Sequence, residues 1–430
     1  MKLLALIFVF VAVYAKHEAY VGYKSYYVEP KTQVELKALG SLIQEFEVDV
    51  LDYPSVGREG LVLVKPQFQD AFTKTLEDIG ISYRIHVEDV VKALEEDDKE
   101  IEEMERENMS RNGGVRVPYN NYQRLIVYDN YLRDIARRYP NVAKLVTPAR
   151  SFEGRPINYL KISTTNFEDT RKPIIFIEAA THAREWITPP TVTWAIKKLV
   201  EDVTEPDLLE RFDWILLPIS NPDGYEFSHT NDRMWRKTRS THSSSSCVGV
   251  DGNRNYDFKW NTVGTSRNPC ADNYAGRHAF SEIETRVVRD IIHENRSRMA
   301  LFITMHSFGS MILYSWGHDG SLSNNAFALH SVGVSMADAI FANRLSHFPR
   351  YQVGNSAHIL SAAAGASEDY AHNLGVPLSY TFELPGFRRP LNAQEGFRLN
   401  PRYIEQVCRE TWEAIVVGAR RAGDLYGRGH

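Results

Sequence analysis

The stretch PIIFIEAATHAREW, residues 173–186, decides the fold of most of this 430-residue chain. It begins with an apolar run, typical of a strand buried on both faces, and three similar runs follow it. Helical patterns separate the runs, and this alternation predicts an α/β sheet with helices on both faces. The predicted strands cover 173–179, 213–219, 300–305 and 376–382, and the predicted helices lie near 188–202, 282–295, 324–345 and 402–420.

Polar residues stand at the ends of three of these predicted strands. His182 and Glu185 follow the first strand, His306 ends the third and Glu383 ends the fourth. Because ligands of open α/β sheets bind at the carboxyl ends of strands, we expect these side chains to meet. Two imidazoles and one carboxylate can hold zinc and leave a position for water, whose proton a further carboxylate can take. The sequence therefore predicts one zinc ion held by His182, Glu185 and His306, with Glu383 as the base.

Six segments in a fixed order make this interpretation specific. In these segments and their separations, over residues 119–425, the chain resembles the zinc carboxypeptidases of the pancreatic A and B type. The resemblance implies a mixed eight-stranded sheet and an enzyme that removes single residues from peptide C-termini. The segments are THAREW (181–186), NPDGYEF (221–227), DRMWRKTRS (232–240), GVDGNRNYDF (249–258), MHS (305–307) and YTFEL (380–384).

The resemblance also implies roles for individual residues. Glu383 is similar to the general base that activates water and then passes a proton to the leaving amine. Arg236 resembles the arginine that polarises the scissile carbonyl, and Arg184 resembles an auxiliary arginine along the binding path. Asn253 and Arg254 resemble the pair that binds the terminal carboxylate of the substrate, a task that suits a planar guanidinium.

Two departures from the family pattern concern the rim of the cleft. Ser361 aligns with the mobile tyrosine that caps the substrate, so substrates should bind more weakly. Proteinaceous carboxypeptidase inhibitors, which are candidate partners of this family, should also bind more weakly. The loop from Pro385 to Gln394 is longer than its counterpart, which predicts a reshaped rim.

The side-chain pocket carries the prediction of specificity. Glu368 aligns with the floor of this pocket, which is apolar in A-type enzymes and acidic in B-type enzymes. A buried carboxylate there predicts a preference for C-terminal Lys or Arg. The other pocket positions fall on Thr304, Leu313, Gly317, Ser356, Ala363 and Ala366.

Several other functions remain open at this point. An A-type preference is one, and a weakly active or non-catalytic binding protein is another, because Ser361 replaces the capping tyrosine. A deacylase or desuccinylase with the same zinc ligands is a third, although the NRNYD segment (253–257) opposes it. The chain has no HExxH and no GxSxG motif, which excludes the corresponding metalloproteases and serine hydrolases.

The front of the chain predicts export and a separate small domain. Lys2 followed by an apolar run to Val11 and a small residue at Ala15 is typical of a signal peptide, so we expect a secreted protein. Residues 20–88 show the order β-α-β-β-α-β of a ferredoxin-like domain, and this part resembles the propeptide of the family. The predicted units are a signal peptide (1–15), a propeptide (16–111), a linker (112–118) and a catalytic domain (119–430).

The predicted linker contains a candidate cleavage site. Arg111 and Arg116 flank paired glycines, which makes the segment a target for an activating trypsin-like protease. Residues 16–111 hold 22 acidic and 12 basic residues, whereas the rest of the chain is mildly basic. The two parts should therefore attract each other, and neither has the basic clustering of a nucleic-acid binder. The apolar run of the signal peptide is too short to span a membrane, and no other run comes close.

Three cysteines allow at most one intramolecular disulfide. Cys247 and Cys270 flank a loop rich in Ser, Asn and Gly, which suits a bridge in an exported protein, and they match the disulfide positions of the family. Cys408 lies in an apolar helical pattern, which predicts a buried free thiol.

Overall fold

The computed structural model describes residues 17–52, 54–109, 117–241, 245–386, 396–397 and 399–427. The predicted signal peptide, the predicted cleavage sites after Arg111 and Arg116, and residues 387–394 of the extended loop lie outside these ranges. Within them, no helix combines the length and the apolar character needed to cross a membrane.

The front of the described chain folds as a small α+β domain. Four antiparallel strands form a sheet in the order β2-β3-β1-β4, and α3 leads away from it. This is the predicted ferredoxin-like arrangement. Its elements are β1 (Lys24–Glu29), α1 (Gln33–Glu45), β2 (Asp49–Asp52), β3 (Gly60–Val64), α2 (Gln69–Asp78), β4 (Ser82–Val87) and α3 (Val90–Met109), with 3₁₀ turns at Glu18–Tyr20 and Pro66–Phe68.

The small sheet is buried on both faces. Successive side chains of a strand point to opposite faces, so Tyr26 of β1 packs with α1 and α2. Its neighbour Tyr27 points the other way and packs with Leu61 of β3 against Phe308 and Phe397 of the main domain. One face of the small sheet therefore packs against the helices of its own domain, and the other face packs against the main domain.

The main domain is an eight-stranded mixed sheet with helices on both sides. Its strands are β5 (Ala143–Arg150), β6 (Pro156–Ile162), β7 (Ile174–Ala179), β8 (Asp213–Leu217), β9 (Met299–Ser307), β10 (Met311–Tyr314), β11 (Gln352–Asn355) and β12 (Leu378–Leu384). Its helices are α4 (Leu125–Arg138), α5 (Thr188–Val200), α6 (Asp207–Arg211), α7 (Pro222–Thr230), α8 (Ile283–Asn295), α9 (Ala326–Asn343), α10 (Ser356–Ile359), α11 (Ser367–Asn373) and α12 (Ile404–Tyr426), with 3₁₀ turns at Gly252–Arg254 and Pro401–Tyr403.

The sheet has the order β11-β10-β12-β9-β7-β8-β6-β5. The central strands β12, β9, β7 and β8 run parallel, and they are the four strands that the apolar runs predict. Alternate residues of β7 enter opposite cores. Ile175 and Ile177 pack with α4, α5, α9 and α12, whereas Ile174 and Phe176 pack with α8 and α11. Burial on both faces explains the unbroken apolar runs.

The apolar runs do not indicate the four outer strands. In β5 only Ala143 is buried, and β11 consists of Gln352, Val353, Gly354 and Asn355. Neither resembles a strand buried on both faces, because each lies at an edge of the sheet. The cysteine prediction is confirmed: Cys247 and Cys270 form a disulfide, and Cys408 is a buried free thiol.

Candidate active site

The central strands bring the predicted site residues to one edge of the sheet. β9 pairs in parallel with β7 on one side and with β12 on the other. In this register Glu178 of β7 lies beside Thr304, and Glu383 of β12 lies beside His306. Thr304 and His306 are two residues apart on β9, so their side chains share a face of the sheet.

His182, Glu185 and His306 converge to form a buried cluster. The loop between β7 and α5 carries His182 and Glu185, and Nδ1 of His182 lies 2.7 Å from Oε1 of Glu185. The second carboxylate oxygen of Glu185 lies 3.0 Å from Nδ1 of His306. One ligand atom from each of the three residues lies within 4.8 Å of the others. The structure therefore brings together the three side chains predicted to bind metal.

The outward-facing ring nitrogens of both histidines have partners. Nε2 of His182 lies 3.0 Å from Oδ1 of Asp251, and Nε2 of His306 lies 3.1 Å from Oγ1 of Thr304. A metal-binding histidine usually donates its other N–H to such an acceptor, which leaves the facing nitrogen free to bind. Two imidazole nitrogens and one carboxylate facing each other in a buried site fit a zinc ion.

Glu383 and Arg236 lie beside this cluster, and both line the same cleft. Burial raises the pKa of the Glu383 carboxyl to about 8, although the charge of His306 opposes the rise. Arg236 donates from Nε and Nη2 to Oδ2 of Asp251, at 3.1 and 2.9 Å. Asp251 thus fixes both the ring of His182 and the guanidinium of Arg236.

Asn253 and Arg254 enter the cleft from the 3₁₀ turn that follows Asp251. The Asp251 side chain caps this turn by accepting from the amide of Asn253 at 2.9 Å. Oδ1 of Asn253 accepts from the amide of Ser367 at 2.9 Å, and Nε of Arg254 donates to the carbonyl of Gly264 at 3.0 Å. Backbone and side-chain contacts therefore hold both residues at the cleft wall.

Two adjacent acidic residues of α11 have different environments. Asp369 accepts from the backbone amides of Gly317 and His318, so this carboxylate holds a turn together. Glu368 is 3% exposed and lines the cleft, and its Oε2 has no hydrogen-bond partner among the described residues. Burial and the neighbouring charge of Asp369 raise the pKa of Glu368 to about 7.

Four of the six other predicted pocket residues line the cleft: Leu313, Ser356, Ala363 and Ala366. Thr304 is not among the residues that line the cleft, and its hydroxyl contacts His306. Gly317 is not among them either, and its amide donates a hydrogen bond to Asp369. Ser361 lies at the exposed rim of the cleft, where the resemblance predicts the capping tyrosine.

The small front domain covers the cleft. Val50, Leu51 and Asp52 of β2 are part of its lining, together with His182 and Glu383. One residue before them, Asp49 accepts two hydrogen bonds from Arg184, at 2.7 and 3.1 Å. Arg184, predicted as an auxiliary substrate-binding residue, is thus occupied by the front domain.

Sequence reasoning missed three carboxylates around the site. Asp251 stands two residues before Asn253 in the GVDGNRNYDF segment, which is a signal that was available. Glu178 ends an apolar strand, where a buried acid is unusual enough to be noticed. Asp49 had no such signal, because its contact with Arg184 depends on how two domains meet.

Comparison with known proteins agrees with this geometry. Residues 128–414 match the zinc carboxypeptidase family, and residues 26–97 match the carboxypeptidase activation peptide. The chain is 62% identical over 430 residues to carboxypeptidase B of Helicoverpa zea, and the match covers 99% of this chain and 100% of that protein.

Two solved structures are also similar. The crystal structure of carboxypeptidase A from Helicoverpa armigera has a TM-score of 0.91 and 42% identity, and the match covers 95% of this chain and 100% of that one. Bovine thrombin-activatable fibrinolysis inhibitor in complex with tick carboxypeptidase inhibitor has a TM-score of 0.64 and 30% identity, over 71% of this chain and 99% of that one.

Proposed function

The chain belongs to the zinc carboxypeptidase family and carries that family's activation peptide, and on this premise we propose that it is a secreted zymogen specific for basic C-terminal residues. After cleavage by a trypsin-like protease, the enzyme removes C-terminal Lys and Arg from peptides in preference to apolar residues.

The carboxylate of Glu368 is the observation that carries this proposal. It lies buried at the cleft with one oxygen unpartnered, between small residues that leave room for a long side chain. A substrate ammonium or guanidinium supplies the missing partner. An apolar side chain leaves the carboxylate desolvated and unpaired, which disfavours its binding.

The names of the relatives do not decide the specificity. The chain is 62% identical to a protein named carboxypeptidase B, while the structure of Helicoverpa armigera at 42% identity is named carboxypeptidase A. Both types share the fold and the family. The assignment to basic substrates therefore rests on Glu368 rather than on the names.

We assign the remaining site residues by their positions in the cleft. His182, Glu185 and His306 would hold zinc, which when bound would act as a Lewis acid and lower the pKa of water to about 7. The Glu383 carboxylate would take a proton from the attacking water and later donate a proton to the leaving amine. Arg236 stabilises the negative charge that develops on the scissile carbonyl oxygen, and Asn253 and Arg254 bind the terminal carboxylate.

Activation follows from the position of the front domain. It covers the cleft and occupies Arg184, so the uncut chain should be almost inactive. Cleavage after Arg111 or Arg116 should release this domain. Ser361 puts a small residue where the resemblance predicts a capping tyrosine, so proteinaceous carboxypeptidase inhibitors should bind more weakly than they do to relatives with a tyrosine there.

The test is the turnover of peptides that differ only in the last residue, measured before and after limited trypsin. We expect little activity before cleavage and, afterwards, kcat/KM for C-terminal Lys and Arg well above that for Phe and Leu. Equal or faster turnover of Phe would exclude basic specificity, and an uncut chain as active as the cut one would exclude the zymogen.

A further inference from the structure

Glu178 is a buried carboxylate that none of the roles above uses. It belongs to β7 and is 0% exposed, and its Oε2 accepts from Oγ1 of Thr181 at 3.3 Å. Its Oε1 has no hydrogen-bond partner among the described residues. A buried carboxylate with one unsatisfied oxygen is costly, so its presence directly behind the histidine cluster calls for a function.

The strand register places Glu178 beside Thr304, whose hydroxyl lies 3.1 Å from Nε2 of His306. Burial raises the pKa of the Glu178 carboxyl, and the charge of His306 and the hydroxyls of Thr304, Thr181 and Ser220 oppose that rise. The register therefore places a hydroxyl that contacts His306 beside a carboxylate with one unpartnered oxygen among the described residues. Glu178, Thr304 and His306 form a row across two adjacent strands.

The two predicted histidine ligands differ in what fixes their protonation. Nε2 of His182 faces the carboxylate of Asp251, which accepts hydrogen bonds, so Nε2 carries the proton and Nδ1 is left for the metal. Nε2 of His306 faces a hydroxyl, which can either donate or accept. A hydroxyl alone does not select the tautomer of His306.

We propose that Glu178 is a positioning residue that acts on the metal site through Thr304. The Thr304 hydroxyl has one proton, and when it donates that proton to Glu178 it can only accept from His306. Nε2 of His306 then carries a proton, and Nδ1 is directed toward the metal. A carboxylate thereby orients each histidine: Asp251 contacts His182 directly, and Glu178 acts on His306 through the hydroxyl of Thr304.

The test measures the affinity of the full-length chain for zinc by competition with a chelator. Loss of such an outer partner typically weakens metal binding about 10- to 100-fold, and we expect this for Glu178→Met and for Thr304→Val. Thr304→Ser keeps the hydroxyl and should stay within about threefold of the unmodified chain.

A double variant tests whether the two residues act in series. If Glu178 acts only through Thr304, Glu178→Met combined with Thr304→Val should bind zinc no more weakly than the weaker single variant. If the two residues contributed independently, the fold-losses of affinity in the single variants would multiply in the double variant. Multiplied losses, or an unchanged affinity in Glu178→Met, would overturn the proposal.

Three controls separate this role from others. Glu410 is a second fully buried glutamate whose Oε1 has no partner among the described residues. It lies on α12, so Glu410→Met should leave zinc affinity unchanged.

Thr381 is the other strand neighbour of Thr304. A loss of zinc affinity in Thr381→Val but not in Glu178→Met would make Thr381 the acceptor and overturn the proposal. The metal-free Glu178→Met chain should melt no lower than the unmodified one, and a lower melting temperature would assign Glu178 to the fold.

This inference rests on the proposed assignment of His306 as a metal ligand, and the two fail differently. If His306→Ala keeps the zinc affinity of the unmodified chain, the ligand assignment is wrong. If His306→Ala loses zinc while Glu178→Met keeps it, only the role of Glu178 is wrong.

Discussion

Glu185 and Glu368 are two buried glutamates in the same cleft, and their environments differ in one respect. Both are nearly inaccessible, at 2% and 3% exposure. Burial alone would raise both pKa values, but His182 and His306 outweigh it at Glu185 and lower the pKa there. At Glu368 burial and Asp369 outweigh the charges of His306 and Arg254 and raise the pKa to about 7.

The difference separates a complete cluster from an incomplete one. The carboxylate of Glu185 is bound on both oxygens by groups of this chain. The carboxylate of Glu368 has one oxygen for which the described chain supplies nothing. The first arrangement holds a site together, and we propose that the second favours a cation that arrives with the substrate. Four predictions test this contrast, from the largest expected effect to the smallest.

The largest effect should come from the metal end of the cleft. Glu383→Gln should keep zinc but lower kcat by about 10²- to 10⁴-fold, because the ligands remain while the proton acceptor is lost. His182→Ala should lose both zinc and turnover. Metal analysis and kinetics of the trypsin-activated variants check this, with Glu410→Gln as a remote control. A Glu383→Gln enzyme with most of its activity would disprove the base assignment.

The second effect concerns the pocket end. Glu368→Ile should reverse the preference for Lys over Phe, because the unpaired carboxylate that selects a cation is removed. A broken buried charge pair costs about 3–5 kcal/mol, or roughly 10²- to 10⁴-fold in kcat/KM for a Lys substrate. Glu368→Gln keeps the size of the side chain and should lose Lys turnover alone. Unchanged Lys turnover in both variants would mean that Glu368 does not face the substrate.

The third prediction is a pH dependence of specificity. A carboxyl with a pKa near 7 is mostly protonated below that pH and then cannot pair with a substrate cation. The ratio of kcat/KM for Lys over Phe should therefore rise with pH and level off above about 7, and below it should fall by up to tenfold per unit. Taking the ratio cancels titrations at the metal end, which both substrates share. Glu368→Gln should give a ratio that is flat across this range, and a flat ratio in the unmodified enzyme would refute the idea.

The same contrast explains how much of the molecule could be predicted from the sequence. His182, Glu185 and His306 follow buried parallel strands, and strand period and sheet topology bring such residues together. The short outer strands β10 and β11 were not predicted because β10 has only four residues and β11 is polar. Alignment gave Thr304 a position along the chain but not the contacts of its side chain. Its contact with His306 follows from the strand period, which puts both side chains on one face of β9, whereas its place beside Glu178 depends on the register of β9 against β7.

Contacts between the two domains were predicted only in outline. The acidic charge of residues 16–111 predicted attraction to the main domain, and Asp49 does form an ion pair with Arg184. Much of the contact is apolar, however, with Tyr27 and Leu61 packed on Phe308 and Phe397. Net charge cannot indicate which faces meet, because that depends on the shape of both surfaces.

The smallest effect should come from the contact between Asp49 and Arg184. The Arg184 guanidinium is buried and donates two hydrogen bonds to Asp49, so Asp49→Asn removes a charged partner from the front domain. Asp272 of the main domain has a side chain that is 43% exposed and lies 3.6 Å from the same guanidinium, and partial burial and the charge of Asp49 raise its pKa. Without Asp49, Asp272 ionises more readily and takes over part of the pairing. The front domain therefore loses its ion pair but keeps its apolar contact.

We expect Asp49→Asn to raise the residual activity of the uncut chain by a few-fold, since a neighbouring carboxylate compensates Arg184 and the apolar contact persists. Hydrolysis of a small C-terminal Lys substrate by the uncleaved chain measures this. Glu45→Gln removes the same charge from an exposed position of α1 and should leave the residual activity unchanged. Equal activity in the two variants would show that the apolar contact alone keeps the cleft covered. A cut Asp49→Asn enzyme should match the cut unmodified one, because the substitution leaves with the front domain.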